Sequence, residues 1–302
     1  MKESTPQFKK GINQLSFPDS IGLIDCMKLA KHAGFDGIEP VMHMTGEFSL
    51  TTSDIQIEDF GKASREIGIE ISSVCQHQHR YYSISSNRQD IREHAKDSLK
   101  RLIDIACFWN VRNVLVVPGA VCLPPVDAKE VEDFKTNFFA GSEIVDYDVV
   151  YERSVETFRE LSGYAKERNV CMCVENISNC FLLSPLEMRS FIDEIGSDNV
   201  QVYLDVGNIT AINGFAEQWI KILAHRIKVL HIKDFRRLVA TRHGYVDLLS
   251  GDVDFVKVME ALRGIGYCGW LNAEVFPKYR NYSDQVIFNT LASMERIINM
   301  QA

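Results

Sequence analysis

No stretch of about 18 apolar residues runs through this chain, so a membrane-spanning helix is not expected. The opening segment, Met1 to Lys10, is polar and lacks the apolar core of a secretory leader, so the expected location is the cytosol. No Cys-x-x-Cys pair occurs among the cysteines at 26, 75, 107, 122, 171, 173, 180 and 268. Most of them sit in apolar stretches and read as reduced thiols packed like small hydrophobes. Positive charge is in short supply: 33 Lys and Arg face 41 Asp and Glu, a net charge of -8. An acidic surface repels phosphate backbones, which counts against a nucleic-acid partner but leaves room for a local basic pocket on a small phosphate ester. Low-complexity tracts and interdomain linkers are missing too. The 302 residues, 46% of them hydrophobic, suffice for one large domain with a sizeable core.

What the chain does have is alternation. Short β-rich runs are followed by longer segments of helical periodicity, in this order: a strand at Lys10–Leu15 and a helix at Ser20–Ala33, stopped by Gly34; a strand at Phe35–Glu39 and a helix at Ser53–Ile67, stopped by Gly68; a strand at Ile69–Cys75 and a helix at Gln89–Phe108. The apolar run Asn113–Pro118 reads as a strand buried on both faces, with a helix at Tyr151–Arg168. Strands through Glu175, Asp205, His231 and Glu274 then alternate with helices at Ser184–Ile195, Phe215–Ala224, Asp254–Ile265 and Ser283–Met300. Eight such units predict a single-domain α/β fold, a (β/α)8 TIM barrel over residues 1–302; an open doubly wound sheet is the structural rival. One segment breaks the repeat. Residues 119–148, between the fourth strand and its helix, form a long loop on the face where barrel active sites sit, to be read as a lid, an active-site wall or a subunit contact.

Four strand ends finish on side chains that bind metals: Glu175 in Val170–Asn176, Asp205 in Val202–Asn208, His231 in Val229–Asp234 and Glu274 in Leu271–Val275. Their intervals fit one βα unit each, so consecutive strands can bring the four together. Three carboxylates and an imidazole suit a hard or borderline divalent cation. Taken singly, each is a surface group at a strand terminus. Together around one barrel mouth they would repel one another without a cation. Cys171 and Cys173 share strand parity with Glu175 but lie one and two pleats below the strand end, where core packing is expected.

The motifs Gly34-Phe-Asp-Gly-Ile-Glu39, Val174-Glu175-Asn176, Leu204-Asp205-Val-Gly-Asn208, Leu230-His231-Ile-Lys-Asp234, Gly251-Asp-Val-Asp-Phe255 and Gly266–Glu274 resemble, in order and spacing, the xylose-isomerase-like barrel superfamily and its sugar-phosphate isomerase/epimerase branch. The resemblance covers nearly the whole chain from Gly11 onward. It implies that Glu175, Asp205, His231 and Glu274 hold Mn²⁺, Mg²⁺, Co²⁺ or Zn²⁺. It also implies that Glu175 and Glu274 are the catalytic acid–base pair on a small carbohydrate, moving protons next to a carbonyl through an enediolate that a bound cation stabilises. Expected substrate contacts are Asn208, where several relatives carry a histidine, Arg237 six residues after His231, His77 after the third strand, Glu39 at the end of the second, and Lys233. His79 is a weaker candidate, and Lys233 either binds a substrate anion or pairs with Asp234. Phe181 stands six residues after Glu175, where sugar epimerases often carry a second glutamate, which argues against simple equivalence with free-ketose 3-epimerases. Homo-oligomers are common among such barrels.

Two other activities use this scaffold. A polyol or keto-acid dehydratase of the inosose or dehydroshikimate type would share the metal and the first proton abstraction. A DNA-repair endonuclease would need extra histidines, yet Asn208, Val117-Pro118 and Gly244-Tyr-Val246 stand where they are expected. The net charge of -8 also disfavours it. A barrel that only binds, without catalysis, is the remaining class.

Overall fold

The structure is a computed structural model that describes residues 8–77, 79, 81–123, 142–239, 241–276 and 279–301. Its main parallel strands are β1 (Lys9–Asn13), β2 (Gly37–Glu39), β3 (Glu70–Ile71), β4 (Asn113–Val116), β5 (Cys171–Glu175), β6 (Val200–Asp205), β7 (Ile227–Ile232) and β8 (Trp270–Ala273). The helices are α1 (Leu23–Ala33), α2 (Asp54–Ile67), α3 (Gln89–Phe108), α4 (Tyr147–Glu167), α5 (Pro185–Ile195), α6 (Val206–Ala211), α7 (Ala216–Leu223), α8 (Phe255–Gly264) and α9 (Gln285–Ile298). Among the described residues no helix is long and apolar enough to cross a membrane.

The chain groups into two compact units. The first comprises the described residues of Met1–Pro40, Phe60–Ser72 and Val202–Ala302, and the second those of Val41–Asp59 and Ser73–Gln201. In the first unit the strands run in the order β3-β2-β1-β8-β7-β6. Neighbours in sequence are neighbours in space, and the last strand, β8, pairs with the first, β1, from Lys9 opposite Trp270 to Ile12 opposite Ala273. All of these pairs are parallel, as connections through helices require. Ile12, Ile38, Val229, Leu230 and Leu271 are fully buried along them. Helix α1 buries Leu23, Cys26, Met27 and Ala30. It stops at Gly34, whose φ of +110° lets its N–H reach the carbonyls of Ala30 and Lys31, a conformation that a side chain would strain.

In the second unit β4 pairs in parallel with β5, Asn113 opposite Cys171 through Val116 opposite Val174, and α4 packs between α3 and α5. Every residue of β5 is buried, Cys171 and Cys173 included, as core packing predicts. All eight cysteines are free. Helix α5 starts where its sequence says it should: Ser184 Oγ accepts from the Glu187 N–H at 3.2 Å, and Pro185 occupies the first turn, where its missing N–H costs nothing.

Three elements differ from the sequence expectation. The strand expected over Ile69–Cys75 divides. Glu70–Ile71 pairs with Gly37–Ile38, whereas Val74 bridges to Val114 and Cys75–Gln76 pairs with Val41–Met42, because the chain changes partners across Ser72-Ser73. Helix α4 begins at Tyr147 rather than Tyr151. The short helix α6 was not expected; it forms because Asp205 Oδ1 accepts from the Asn208 N–H at 2.8 Å and caps its first turn. Of the loop 119–148, residues 124–141 lie outside the described residues. Its described ends form a short antiparallel pair, Cys122–Leu123 with Glu143–Ile144.

Candidate active site

Strand register builds the centre. Asp205 at the end of β6 lies directly opposite His231 on β7, and His231 lies opposite Asn272 on β8. The next β8-side residue, Glu274, is tied in by its N–H donating to the Ile232 carbonyl at 3.1 Å. Asp205, His231 and Glu274 are all buried, and each offers one ligand atom, these atoms lying within 4.8 Å of one another. His231 Nδ1 faces Asp205 Oδ2 at 3.8 Å and Glu274 Oε2 at 3.6 Å. An imidazole nitrogen and two carboxylate oxygens converging in a buried space are a donor set that suits a borderline divalent cation.

The other face of His231 is held by Glu39. His231 Nε2 lies 2.7 Å from Glu39 Oε2, an oxygen that also accepts from Asn13 Nδ2 at 2.5 Å. Glu39 Oε1 accepts from the Tyr203 hydroxyl at 2.8 Å, and Tyr203 in turn accepts from Asn272 Nδ2 at 2.7 Å. Glu39, Asn13, Tyr203 and Asn272 are fully buried. A carboxylate on one imidazole nitrogen keeps the proton there and leaves the other nitrogen as a lone-pair donor. Glu39 therefore lies behind the histidine rather than at the substrate rim where the sequence placed it; its oxygens are already taken by three side chains.

Lys233 brings an ammonium into this cluster. Its Nζ lies 2.8 Å from Asp205 Oδ2 and in contact with Glu274 Oε2, with Asn208 Oδ1 at 3.5 Å. Burial alone would push the Asp205 carboxyl up, but the Lys233 ammonium, and after it His231, hold it below the usual carboxylate range. Of the two roles expected for Lys233, pairing with Asp234 does not occur. The Asp234 carboxylate instead accepts from the backbone N–H groups of Phe235 (2.9 Å), Gly251 (2.8 Å) and Val253 (3.2 Å). That explains the Gly251-Asp-Val-Asp-Phe255 motif. Asp234 pins the loop, Asp252 accepts the Arg237 N–H at 2.7 Å, and Asp254 caps α8.

The remaining expected contacts divide. Asn208 lies at the centre, its Oδ1 accepting from the Tyr245 hydroxyl at 2.7 Å. Arg237 points elsewhere: its Nη2 donates to the Gly214 carbonyl at 2.6 Å, and its guanidinium lies 4.9 Å from the Phe215 ring, while its buried Nε has no hydrogen-bond partner among the described residues. The adjacent Arg236 is exposed and donates to the Ser250 carbonyl at 2.8 Å. In the second unit Glu175 is the last residue of β5 and is buried. His77 is half-buried beside the rings of His43 (6.0 Å) and His79 (6.5 Å), and His79 Nδ1 bonds the Gln76 carbonyl. Phe181 is a core residue among Tyr147, Tyr151 and Phe191. Tyr203, Asn13, Asn272 and Tyr245 were not singled out from the sequence. A signal existed for two of them: Tyr203 and Asn272 stand two residues before Asp205 and Glu274, and so share their strand face.

The profile of the Xylose isomerase-like TIM barrel family matches residues 27–294. The chain belongs to this family. It therefore has the TIM-barrel fold that the eight strand–helix units predicted. Among curated relatives, the putative L-ribulose-5-phosphate 3-epimerase SgbU of Escherichia coli (strain K12) is 25% identical over 272 residues, covering 86% of this chain and 85% of that protein. The L-ribulose-5-phosphate 3-epimerase UlaE of Shigella flexneri serotype 5b (strain 8401) is 24% identical over 273 residues, covering 87% and 85%. Among solved structures, a D-psicose 3-epimerase determined in the presence of D-fructose superposes with a TM-score of 0.75 at 18% identity, covering 96% of this chain and 99% of that one. The IOLI protein with a bound zinc atom gives 0.74 at 17% identity, covering 96% and 98%. At these identities the solved structures speak to the fold, and all of these relatives span nearly the full length compared.

Proposed function

We propose that this chain is a divalent-metal-dependent epimerase that inverts carbon 3 of a 2-ketose phosphate. The observation that carries this reading is the buried convergence of Asp205, His231 and Glu274, with the imidazole oriented by Glu39. The motif resemblance of the sequence supplies Glu175, the buried last residue of β5, as the fourth ligand of this reading. Mn²⁺, Mg²⁺, Co²⁺ or Zn²⁺ would be held by Glu175, Asp205, His231 and Glu274. A cation there supplies Lewis-acid stabilisation to negative charge growing on substrate oxygens.

The chain's own groups do the rest. Glu175 and Glu274 stand on different strands, so one carboxylate can remove the proton beside the carbonyl and the other can return a proton to the opposite side. One proton leaves and one arrives, with no net redox change, and the carbon is inverted. Taking the proton from carbon 1 instead and returning one to carbon 2 would give ketose–aldose isomerisation. General acid–base groups contribute about 10²–10⁴-fold each when held near the reacting carbon. Asn208, whose Oδ1 accepts from the Tyr245 hydroxyl beside Lys233, supplies a polar group for substrate oxygens. Lys233 adds positive charge, and His77 remains a substrate contact expected from the sequence alone. The ribulose-phosphate relatives support a phosphorylated substrate. So does Phe181, which is packed against Phe191 at the position where, by the motif resemblance, sugar epimerases often carry a second glutamate.

The test is solvent deuterium incorporation, read by NMR, into L-ribulose 5-phosphate, other ketose phosphates, free ketoses and inosose-type polyols, with Mn²⁺ and after chelation. One deuterium at carbon 3 of a ketose phosphate, lost on chelation, is expected. Label confined to a dehydrated product would install the dehydratase reading, and no exchange by a metal-loaded chain would remove the sugar assignment.

A further inference from the structure

Two cations crowded against the same pair of buried oxygens repel one another, and here an ammonium lies on that pair. Lys233 Nζ sits on Asp205 Oδ2 and Glu274 Oε2, the same two oxygens that His231 Nδ1 faces. The ammonium is 4% exposed and cannot trade these contacts for water without moving. Gly207 fixes the lysine stem: a side chain there would collide with Lys233 Cβ and Cγ, so α6 approaches as closely as it does only because residue 207 is glycine.

A second seat for the ammonium lies alongside. Asn208 Oδ1 is 3.5 Å from Nζ, and the faces of Phe276 and Tyr245 are 4.5 and 5.1 Å from it. A carbonyl oxygen and two aromatic faces receive an ammonium well. The lysine therefore has a place to go when its carboxylates are claimed.

We infer that Lys233 is a built-in competitor for the metal: its ammonium occupies the cation position between Asp205 and Glu274, and a divalent ion enters by pushing it toward Asn208, Tyr245 and Phe276. This rests on the metal reading proposed above. The lysine cancels buried carboxylate repulsion when no metal is bound, and it sets metal affinity lower than the donor set alone would give. Once displaced, it leaves a positive charge beside the metal site.

The experiment is calorimetric titration of Mn²⁺ into the wild-type chain, Lys233→Met and Lys233→Gln, with thermal unfolding of each protein in chelator and in saturating Mn²⁺. Both neutral variants are expected to bind Mn²⁺ at least about tenfold more tightly, a change of about 1.4 kcal/mol. They should also melt below wild type in chelator and lose that deficit when Mn²⁺ saturates. Equal or weaker Mn²⁺ binding by variants that fold overturns the inference. Should neither fold, Zn²⁺ is titrated into wild-type chain carrying ¹³C-labelled lysine. The Lys233 Cε resonance is expected to shift in step with Zn²⁺ uptake, and an unmoved resonance overturns the inference. A wild-type chain that takes up no metal overturns the metal reading itself, and this inference with it.

Discussion

His231 has two nitrogens with two neighbourhoods: Nε2 on Glu39, Nδ1 toward Asp205 and Glu274. A proton held on Nε2 by Glu39 would leave Nδ1 as the lone-pair donor, so under the proposed metal reading Glu39 would act through the histidine. Replacing Glu39 with Gln puts an amide N–H against donors from Asn13, Tyr203 and His231. Outer carboxylates of this kind are worth about 10–100-fold in metal affinity. Glu39→Gln should therefore weaken Mn²⁺ binding by that factor in calorimetry while the far-ultraviolet dichroism is unchanged; unaltered affinity would show that the histidine needs no such partner. Glu274→Gln and Glu175→Gln bear on the proposed proton transfers. Each is expected to lower kcat by about 10²–10⁴-fold without unfolding the chain. A variant that keeps near-full turnover removes that glutamate from the chemistry.

Helix α4 shows how an element is bolted to its neighbours. Its tyrosines donate to carboxylates on flanking helices: Tyr147 to Glu187, Tyr151 to Glu194 at 2.8 Å, and Tyr164 to Asp104 at 2.7 Å. Burial first, and the facing carboxylate second, push Tyr151 and Tyr164 up to about 12 from an ordinary 10.0, and raise Tyr147 as well. A raised phenol pKa means that the folded chain favours the protonated form. The stability these bonds lend is therefore fully present below about pH 10 and is lost as pH rises through about 12. Tyrosinate absorbance should show a late-ionising class above pH 11, with unfolding free energy falling over the same interval. A single transition near 10 would mean that the bonds do not persist in solution. At the next helix, Ser184→Ala removes the cap of α5 and should cost about 1 kcal/mol in urea unfolding. No change there would mean that the Oγ bond to Glu187 adds nothing.

For the whole molecule, the described residues of the first unit include the buried carboxylates Glu39, Asp205, Asp234 and Glu274 and the buried ammonium of Lys233. A divalent cation would offset the remaining negative charge, so folding and metal binding should be linked. At free metal 100-fold above Kd the linkage is about 2.7 kcal/mol, enough to move Tm by several degrees. Scanning calorimetry with Mn²⁺, then with excess chelator, checks this. Coincident transitions would mean that the folded chain holds no metal at this cluster.

Much of this architecture could be read before any coordinates. Strand and helix periods differ, and repeated alternation leaves few topologies, so the barrel was legible, and so was the convergence of the strand-end groups Asp205, His231 and Glu274 from one face of successive strands. Glu39, Lys233 and Arg237 were legible as candidates but not in their roles. Strand parity says which face a side chain takes. It does not say which neighbour its last atoms reach, and long or branched polar side chains decide that by local competition for partners. Thus Lys233 left Asp234 for two carboxylates because backbone N–H groups had already filled Asp234. Arg237 turned to Gly214 and Phe215, and Glu39 went behind the histidine because Asn13 and Tyr203 met it there. Backbone pattern is written locally along the chain. Polar pairing in a buried space depends on groups far apart in the chain, 192 residues in the case of Glu39 and His231, and it is settled only when the strands come into register.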